Sequence, residues 1–365
     1  MTSNRILGKD LNITGIIGKA GKSTIAHIIH HCLESATEIE SAAGFLNNLP
    51  VDSYEKSGKN VIIEVSVCEI REKKVSYIDF DCLIFANSEN VNPDEKWTMM
   101  RPFIALAFEK TAIINIDDEY GVDFCDVTIA KMITYSLKKP ADLNARNIKL
   151  AINKTEFDLY FKGKLVCRIK TPYFGIYNIY NTLAAIAHLI SINYDLAKAA
   201  LLLQKSPLIA GRFDTFTTKS GVNVVVDYAR SSDAIGAVLR SLATVCRGNI
   251  ITVVGADANV SASERMAIGK NALTYSEQVI FTSDNPRTEE PLSIIYDILK
   301  GNVRQNFRIC IDREKAIENA LKMSRLKDVV IILGKGNETI QVIGEKARFF
   351  CDKKVAKYLA EKFEI

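Results

Sequence analysis

Asn12-Ile13-Thr14-Gly15-Ile16-Ile17-Gly18-Lys19-Ala20-Gly21-Lys22-Ser23-Thr24 opens with a short apolar run and passes through two glycines into a segment where Ile25, Ile28, Ile29 and Cys32 recur at helical spacing. Strand, glycine loop and helix in that order are what a phosphate cradle requires. Glycines let backbone N–H groups approach phosphate oxygens, and the helix N-terminus adds the positive end of its dipole. Lys22 is placed to reach the β and γ phosphates, and Ser23 to ligate magnesium. Gly18, Lys19, Ala20, Gly21, Lys22, Ser23 and Thr24 are therefore the candidate nucleotide-binding residues, with ATP or a relative as the ligand. The full G-x-x-x-x-G-K-[ST] pattern would place its first glycine at Ile16, so an ordinary glycine turn capped by Ser23 is the competing reading.

Outward from this loop, short β-branched runs alternate with amphipathic stretches: Asn60 to Val65, Cys82 to Ala86, Ala112 to Ile116, Val222 to Tyr228, Asn249 to Gly255, Gln278 to Asp284 and Val329 to Gly334. Runs of this kind predict buried parallel strands, and their alternation with helices predicts doubly wound α/β sheets. In such sheets ligands bind beyond the carboxyl ends of strands, so the polar turns after these runs are the places to look for chemistry. Asn153 to Ile176 read instead as an antiparallel hairpin turning at Lys162-Gly163.

With 365 residues the chain exceeds what one core usually organises, and 48% hydrophobic content suffices to bury two. Ser206-Pro207 and Gly211 interrupt a helical run before a fresh series of strands, which predicts domains at 1–208 and 209–365. The formal charge is +4, from 47 basic and 43 acidic residues interspersed along the chain. Such mixing gives no basic stripe that would call for nucleic acid. Met1 to Asp10 is polar where a secretory signal would be apolar, and no run approaches the ~20 apolar residues of a membrane span. A cytoplasmic protein is expected. The eight cysteines stand singly, without a C-x-x-C pair, and read as small buried apolar residues, while four histidines without H-E-x-x-H pairing give no transition-metal site.

Further segments, taken in order, complete a pattern. They are Glu64-Val65-Ser66, Asn87, Asn115-Ile116-Asp117-Asp118, Thr134-Tyr135 with Ala141-Asp142, and Asn178 through Ala185. Gly211-Arg212, Asp227-Tyr228-Ala229, Thr282 through Arg287, and Gly334-Lys335-Gly336-Asn337-Glu338 follow. Together with the loop they resemble the Mur ligase family, whose ATP-dependent members add amino acids to peptidoglycan precursors. The resemblance implies an α/β, phosphate-loop ATPase-type central domain followed by a Rossmann-like C-terminal ligase domain. It implies an amide-bond ligase acting through an acyl phosphate, with ATP and magnesium as cofactors and amino acid and carboxylate as small-molecule substrates. By the same resemblance Lys22, Glu64 and Arg230 carry catalysis. Ser23 and Glu64 hold magnesium, and Asn178, Arg212 and Asp227 support the nucleotide. Helix capping for Asn178 and Asn181, and a plain surface cation for Arg212, are the competing readings.

Asp284-Asn285-Pro286-Arg287 resembles the family's amino-acid pocket, in which the arginine fork pairs with a distal carboxylate. Gly334 and Glu338 would meet that amino acid's far end, and Arg265 falls where the family has another carboxylate-facing arginine. The implied donor is meso-diaminopimelate or another amino acid with an acidic tail, although an Asx-type turn would also explain Asp284-Asn285-Pro286. Several positions depart from the pattern. Leu106 stands where the family has a carbamylated lysine. Asn92, Arg230, Cys68 and Asn337 stand where it has histidines, and Asn259 where an acidic loop begins. The glycine loop also comes too early to leave room for the family's UDP-binding N-terminal domain, for which a partner protein could substitute. The departures keep a second reading open: an ATP-binding relative that has lost ligation and serves as a regulatory or scaffolding partner.

Overall fold

The computed structural model describes residues 11–33, 60–89 and 91–365, together with the backbone of 36–39; Met1 to Asp10 lies outside the described residues. The chain divides into two compact units, Met1–Leu150 with Lys154–Pro207, and Leu208–Ile365 with Ala151–Asn153. Among the described residues no helix is long and apolar enough to cross a membrane.

The first unit is built on a nine-stranded sheet: β1 (Asn12–Ile17), β2 (Ala36–Ile39), β3 (Asn60–Val65), β4 (Cys82–Phe85), β5 (Thr111–Asn115), β6 (Lys131–Ser136), β7 (Leu143–Ala151), β8 (Lys154–Phe161) and β9 (Lys164–Thr171). The spatial order is β2-β3-β1-β4-β5-β6-β7-β8-β9. Every pairing from β2 to β7 is parallel. Strand β1 sits between β3 on one side and β4 on the other, so the chain reverses its direction of travel across the sheet there. The space beyond the carboxyl end of β1 is therefore the switch point where α/β sheets take ligands. The runs Val61-Ile62-Ile63 and Cys82-Leu83-Ile84-Phe85 are buried on both faces, which is why they read as continuous apolar stretches rather than alternating ones. The helices are α1 (Lys22–Leu33), α2 (Val67–Arg71), α3 (Pro93–Ala105), α4 (Gly121–Val127), α5 (Ile176–Ser191) and α6 (Leu196–Gln204). The expected hairpin is present: β8 and β9 pair antiparallel, and Lys162 (φ 47°) and Gly163 (φ 76°) both adopt the left-handed conformation that a tight two-residue turn demands.

The second unit has a six-stranded sheet of β10 (Asp214–Thr217), β11 (Asn223–Asp227), β12 (Ile250–Val254), β13 (Gln278–Phe281), β14 (Phe307–Ile309) and β15 (Val329–Leu333), ordered β10-β11-β15-β12-β13-β14. Only β10 runs antiparallel. A separate hairpin joins β16 (Ile340–Ile343) to β17 (Lys346–Phe349). Helices α7 (Ser232–Ala243), α8 (Ala262–Tyr275), α9 (Pro291–Leu299), α10 (Arg313–Met323) and α11 (Asp352–Lys362) complete the unit. Because β15 inserts between β11 and β12, the turns after β11 and β15 emerge side by side. The cysteine expectation needs correcting: Cys32 and Cys82 are buried, but Cys68 is exposed and the other five are half-buried. A thiol is small enough to sit at a partly solvated boundary without apolar cost.

Candidate functional site

In the first unit, the turn Gly18 to Gly21 leaves β1 and α1 begins at Lys22. Gly21 has φ 82°, and a Cβ there would lie 2.2 Å from Asn181 Oδ1 on α5, so both the backbone and the neighbour require glycine. Asn87, just past β4, fastens the turn. Its Oδ1 accepts from the N–H of Lys19 (3.1 Å) and Ala20 (3.0 Å), and its Nδ2 donates to Ala20 O (2.8 Å). The amides of Lys19 and Ala20 are thus held by Asn87 Oδ1. The helix ladder starts at Ile25 N, which donates to Gly21 O, so the amides of Ser23 and Thr24 have no intrahelical acceptor. Lys22 Nζ donates to Gly18 O at 2.7 Å, folding the lysine over the loop, while Lys19 Nζ reaches Glu95 at 3.0 Å.

Asn178 and Asn181 do not cap α5; Gly175 occupies the cap position without a side-chain bond. Both amides are 5% exposed. Asn178 Nδ2 donates to Phe174 O (2.7 Å) and Asn181 Nδ2 donates to Asn178 Oδ1 (2.9 Å), which fixes the Asn181 oxygen against Gly21. Beyond β5, Asp117 accepts from Ser136 Oγ, Leu137 N, Tyr180 OH and Lys138 N. Burial alone would raise this carboxyl, but those four donors outweigh it and hold the group below its ordinary value.

Among the described residues no group of three or more His, Cys, Asp or Glu is arranged to hold a metal ion. Magnesium carried on a nucleotide needs only one or two protein oxygens beside phosphates and water. Ser23, in the first turn of α1, and Glu64, aligned with Ile16 across the β1/β3 register at the loop end of the sheet, are donors of that kind. Leu106 is 5% exposed and packs in the apolar core at the C-terminus of α3. Asn92 caps α3, its side chain accepting from Glu95 N at 2.9 Å.

In the second unit, Asp227 ends β11 and is 6% exposed. Burial pushes its carboxyl up, against the pull of the Ala229 and Phe213 amides and of Arg212. The next side chain, Tyr228, has the guanidinium of Arg212 and that of Arg230 each 4.3 Å from its ring centroid. Arg230 Nε donates to Gly334 O at 2.8 Å and its Nη2 pairs with Glu338. Glu338 Oε2 also accepts from Lys335 Nζ (3.0 Å) and Asn285 Nδ2 (3.2 Å). Burial would raise this carboxyl; the bonds and charges of Lys335, Arg230 and Asn285 prevail and hold it below its usual range. Asp284 is 2% exposed beside Gly334, and burial pushes it up despite Arg313, Lys335 and Arg230. Arg287, held at φ 51°, is 45% exposed in its side chain and touches Asp257 only at 3.4 Å.

The structure thus brings Asp284, Asn285, Gly334, Glu338 and Arg230 into one cluster, with Arg287 tied to it through the Asn285 segment. Arg265 is the exception. It is 4% exposed, forms a double contact with Glu289 at 2.6 Å and a bond to Asp297 at 3.0 Å, and donates to Ala258 O. Its charge is already met by two carboxylates, and its bond to Ala258 O supports the Asp257-Ala258 turn. Asn87, Lys335 and Asp257 have roles that sequence reasoning did not assign; for Asn87 and Lys335 the only signal was their place inside the resembling segments.

Replacing Asn87 by alanine removes three hydrogen bonds from the loop. Nucleotide affinity is expected to fall about tenfold to a hundredfold, corresponding to ~1–3 kcal/mol, in an equilibrium titration. Affinity within twofold of the parent would show that the turn keeps its shape without this staple.

Fold and loop define a two-unit α/β protein of the phosphate-loop class. Residues 16–189 match the Mur ligase middle domain, and residues 211–336 match the Mur ligase, glutamate ligase domain. The UDP-N-acetylmuramoyl-L-alanyl-D-glutamate--2,6-diaminopimelate ligase of Aquifex aeolicus is 34% identical over 378 residues, covering 95% of this chain and 77% of that protein. The enzyme of the same description from Halalkalibacterium halodurans is 30% identical over 380 residues, covering 95% and 78%. The chain belongs to the Mur ligase family. Its fold is also that of the MurF ligase of Thermotoga maritima in complex with ADP, at TM-score 0.74 and 15% identity over 99% of this chain and 82% of that one.

Proposed function

We propose that this chain is an ATP-dependent ligase that joins the amino group of an amino acid with an acidic tail to a carboxylate substrate. The observation that carries the reading is the stapled glycine loop at the carboxyl end of β1, with Lys22 opening α1. In this reading the substrate carboxylate attacks the γ-phosphorus of ATP and ADP leaves. The donor amine then attacks the acyl carbon, phosphate leaves, and the amine gives up a proton. Such chemistry depends on positioning and charge neutralisation. Lys22 neutralises the β and γ phosphates, and the first-turn amides of α1 hold them. Ser23 and Glu64 bind magnesium, which supplies further neutralisation of the phosphate oxygens. Asn178 shapes the loop through Asn181. Arg287, half-open to solvent and loosely paired, accepts the donor's distal carboxylate, and Asn285, Gly334 and Glu338 line the same pocket.

A second reading, an ATP-binding relative without ligase activity, is favoured by Leu106, whose buried aliphatic side chain cannot form a carbamate. One experiment separates the two: phosphate release from ATP and magnesium across a panel of amino acids and small carboxylates, with cell extract added and new amides detected by mass. A mass equal to a panel amide establishes ligation. Tight ATP binding with no amide from panel or extract supports the second reading.

A further inference from the structure

Glu338 is the one carboxylate of the pocket that the family pattern sets against the far end of the donor, and both of its oxygens are occupied. Arg230 pairs with Oε1, and Lys335 Nζ and Asn285 Nδ2 donate to Oε2. Neither cation is free to swing away. Arg230 is tethered by Gly334 O and stacked on Tyr228, and Lys335 is 0% exposed with a further bond to Ile340 O at 2.7 Å. A donor ammonium brought to Glu338 would therefore meet two fixed cations already paired with that carboxylate, in a partly desolvated site where like charges repel strongly. The other carboxylates offer no substitute. Asp284 is 2% exposed with Arg313, Lys335 and Arg230 around it, and Asp257 is 11% exposed in its side chain and accepts from Asn259 N at 2.9 Å. A donor carboxylate, by contrast, finds Arg287 with half its side chain open.

We propose that Arg230 sets donor specificity: by occupying Glu338 it configures the pocket for an α-amino dicarboxylic acid without a second ammonium, in preference to a diamino acid. This rests on the amino-acid pocket described above and narrows its ligand class. The histidine that Arg230 replaces in the family pattern could be neutral, leaving the glutamate as an acceptor; a guanidinium is always charged.

The test is calorimetric titration of the full chain, with magnesium and a non-hydrolysable ATP analogue present, against two probes that differ by one amine: L-2-aminopimelate and meso-diaminopimelate. The wild type is expected to bind the monoamino acid at least about tenfold more tightly, and Arg230→His to move the ratio about tenfold or more toward diaminopimelate. Arg230→Lys, which keeps a cation, should keep the wild-type preference. Equal or tighter binding of meso-diaminopimelate by the wild type overturns the proposal without reference to any variant, and so does an unchanged ratio in a folded Arg230→His protein. Binding of neither acid would overturn the pocket reading itself, and this inference with it, whereas loss of ATP turnover with the donor preference intact would count against ligation alone.

Discussion

Lys22→Ala is expected to lower magnesium- and ATP-dependent phosphate release by about 10²–10³-fold, the scale on which removing one preorganised charge-stabilising group from a transition state is felt. The lysine is the first residue of α1, and its ammonium lies over the loop, 2.7 Å from Gly18 O. That carbonyl anchors it where phosphate oxygens would gather, so little side-chain freedom is lost on engagement. Alanine is compatible with a helix start, so the fold should survive and the loss should appear in nucleotide affinity and turnover together. Lys19 provides the contrast: its Nζ is drawn off to Glu95 in a partly exposed pair, and its alanine variant should lose much less. Unaltered release and ATP affinity in Lys22→Ala would remove the loop from the catalytic argument.

The loop was readable because its logic is local. Strand, glycines, lysine and helix lie within thirteen consecutive residues, Asn12 to Thr24, and each has a mechanical reason that spacing alone exposes. The buried strands were readable for a similar reason. Val329 to Leu333 and Ile250 to Val254 are covered on both faces, so each appears as an unbroken apolar run. Strands lacking that signature escaped: β14, Phe307–Ile309, is an edge strand with two of its three residues exposed, and β16 and β17 form a two-stranded ribbon outside the main sheet, with an isolated bridge from Ile343 to Arg287.

What the sequence hid at the site is long-range. Asn87 fastens a loop 67 residues away, and Arg230 pairs with Glu338 across 108 residues. Nothing in the composition of either segment marks these partners. Arg265 shows the converse situation. Its position matched a family arginine, but the carboxylates that claim it, Glu289 and Asp297, lie 24 and 32 residues on, just before α9 and in its second turn. A motif names a residue type at a position; the neighbours that consume its charge come from the fold.

The same principle makes Arg313 the site of the largest expected stability loss. Its guanidinium and the Asp352 carboxylate are both 0% exposed, joined by two 2.8 Å bonds. Arg313 begins α10, where a helix dipole disfavours a cation, and Asp352 begins α11, where it favours an anion. The arginine must therefore be retained by specific bonds, and it has them: Nη2 donates to Leu333 O at 2.9 Å and Nη1 to Ser283 O at 3.4 Å. Those carbonyls immediately precede Gly334 and Asp284, so the pair clamps the two strand ends that form the amino-acid pocket. Arg313→Ala leaves a buried carboxylate without its cation and takes the arginine donor from Leu333 O, while Ser283 O keeps Gln341 Nε2, and should cost about 3–5 kcal/mol in urea unfolding of the full chain. Replacing both partners by leucine removes the stranded charge as well, and should cost much less than the single change. Donor affinity should still fall in the double variant, because the strand ends lose their clamp even when the core is repaired. A single-variant loss under about 1 kcal/mol would mean that water or a neighbouring cation such as Lys335 compensates Asp352, and that the pocket's geometry is held by the sheet alone.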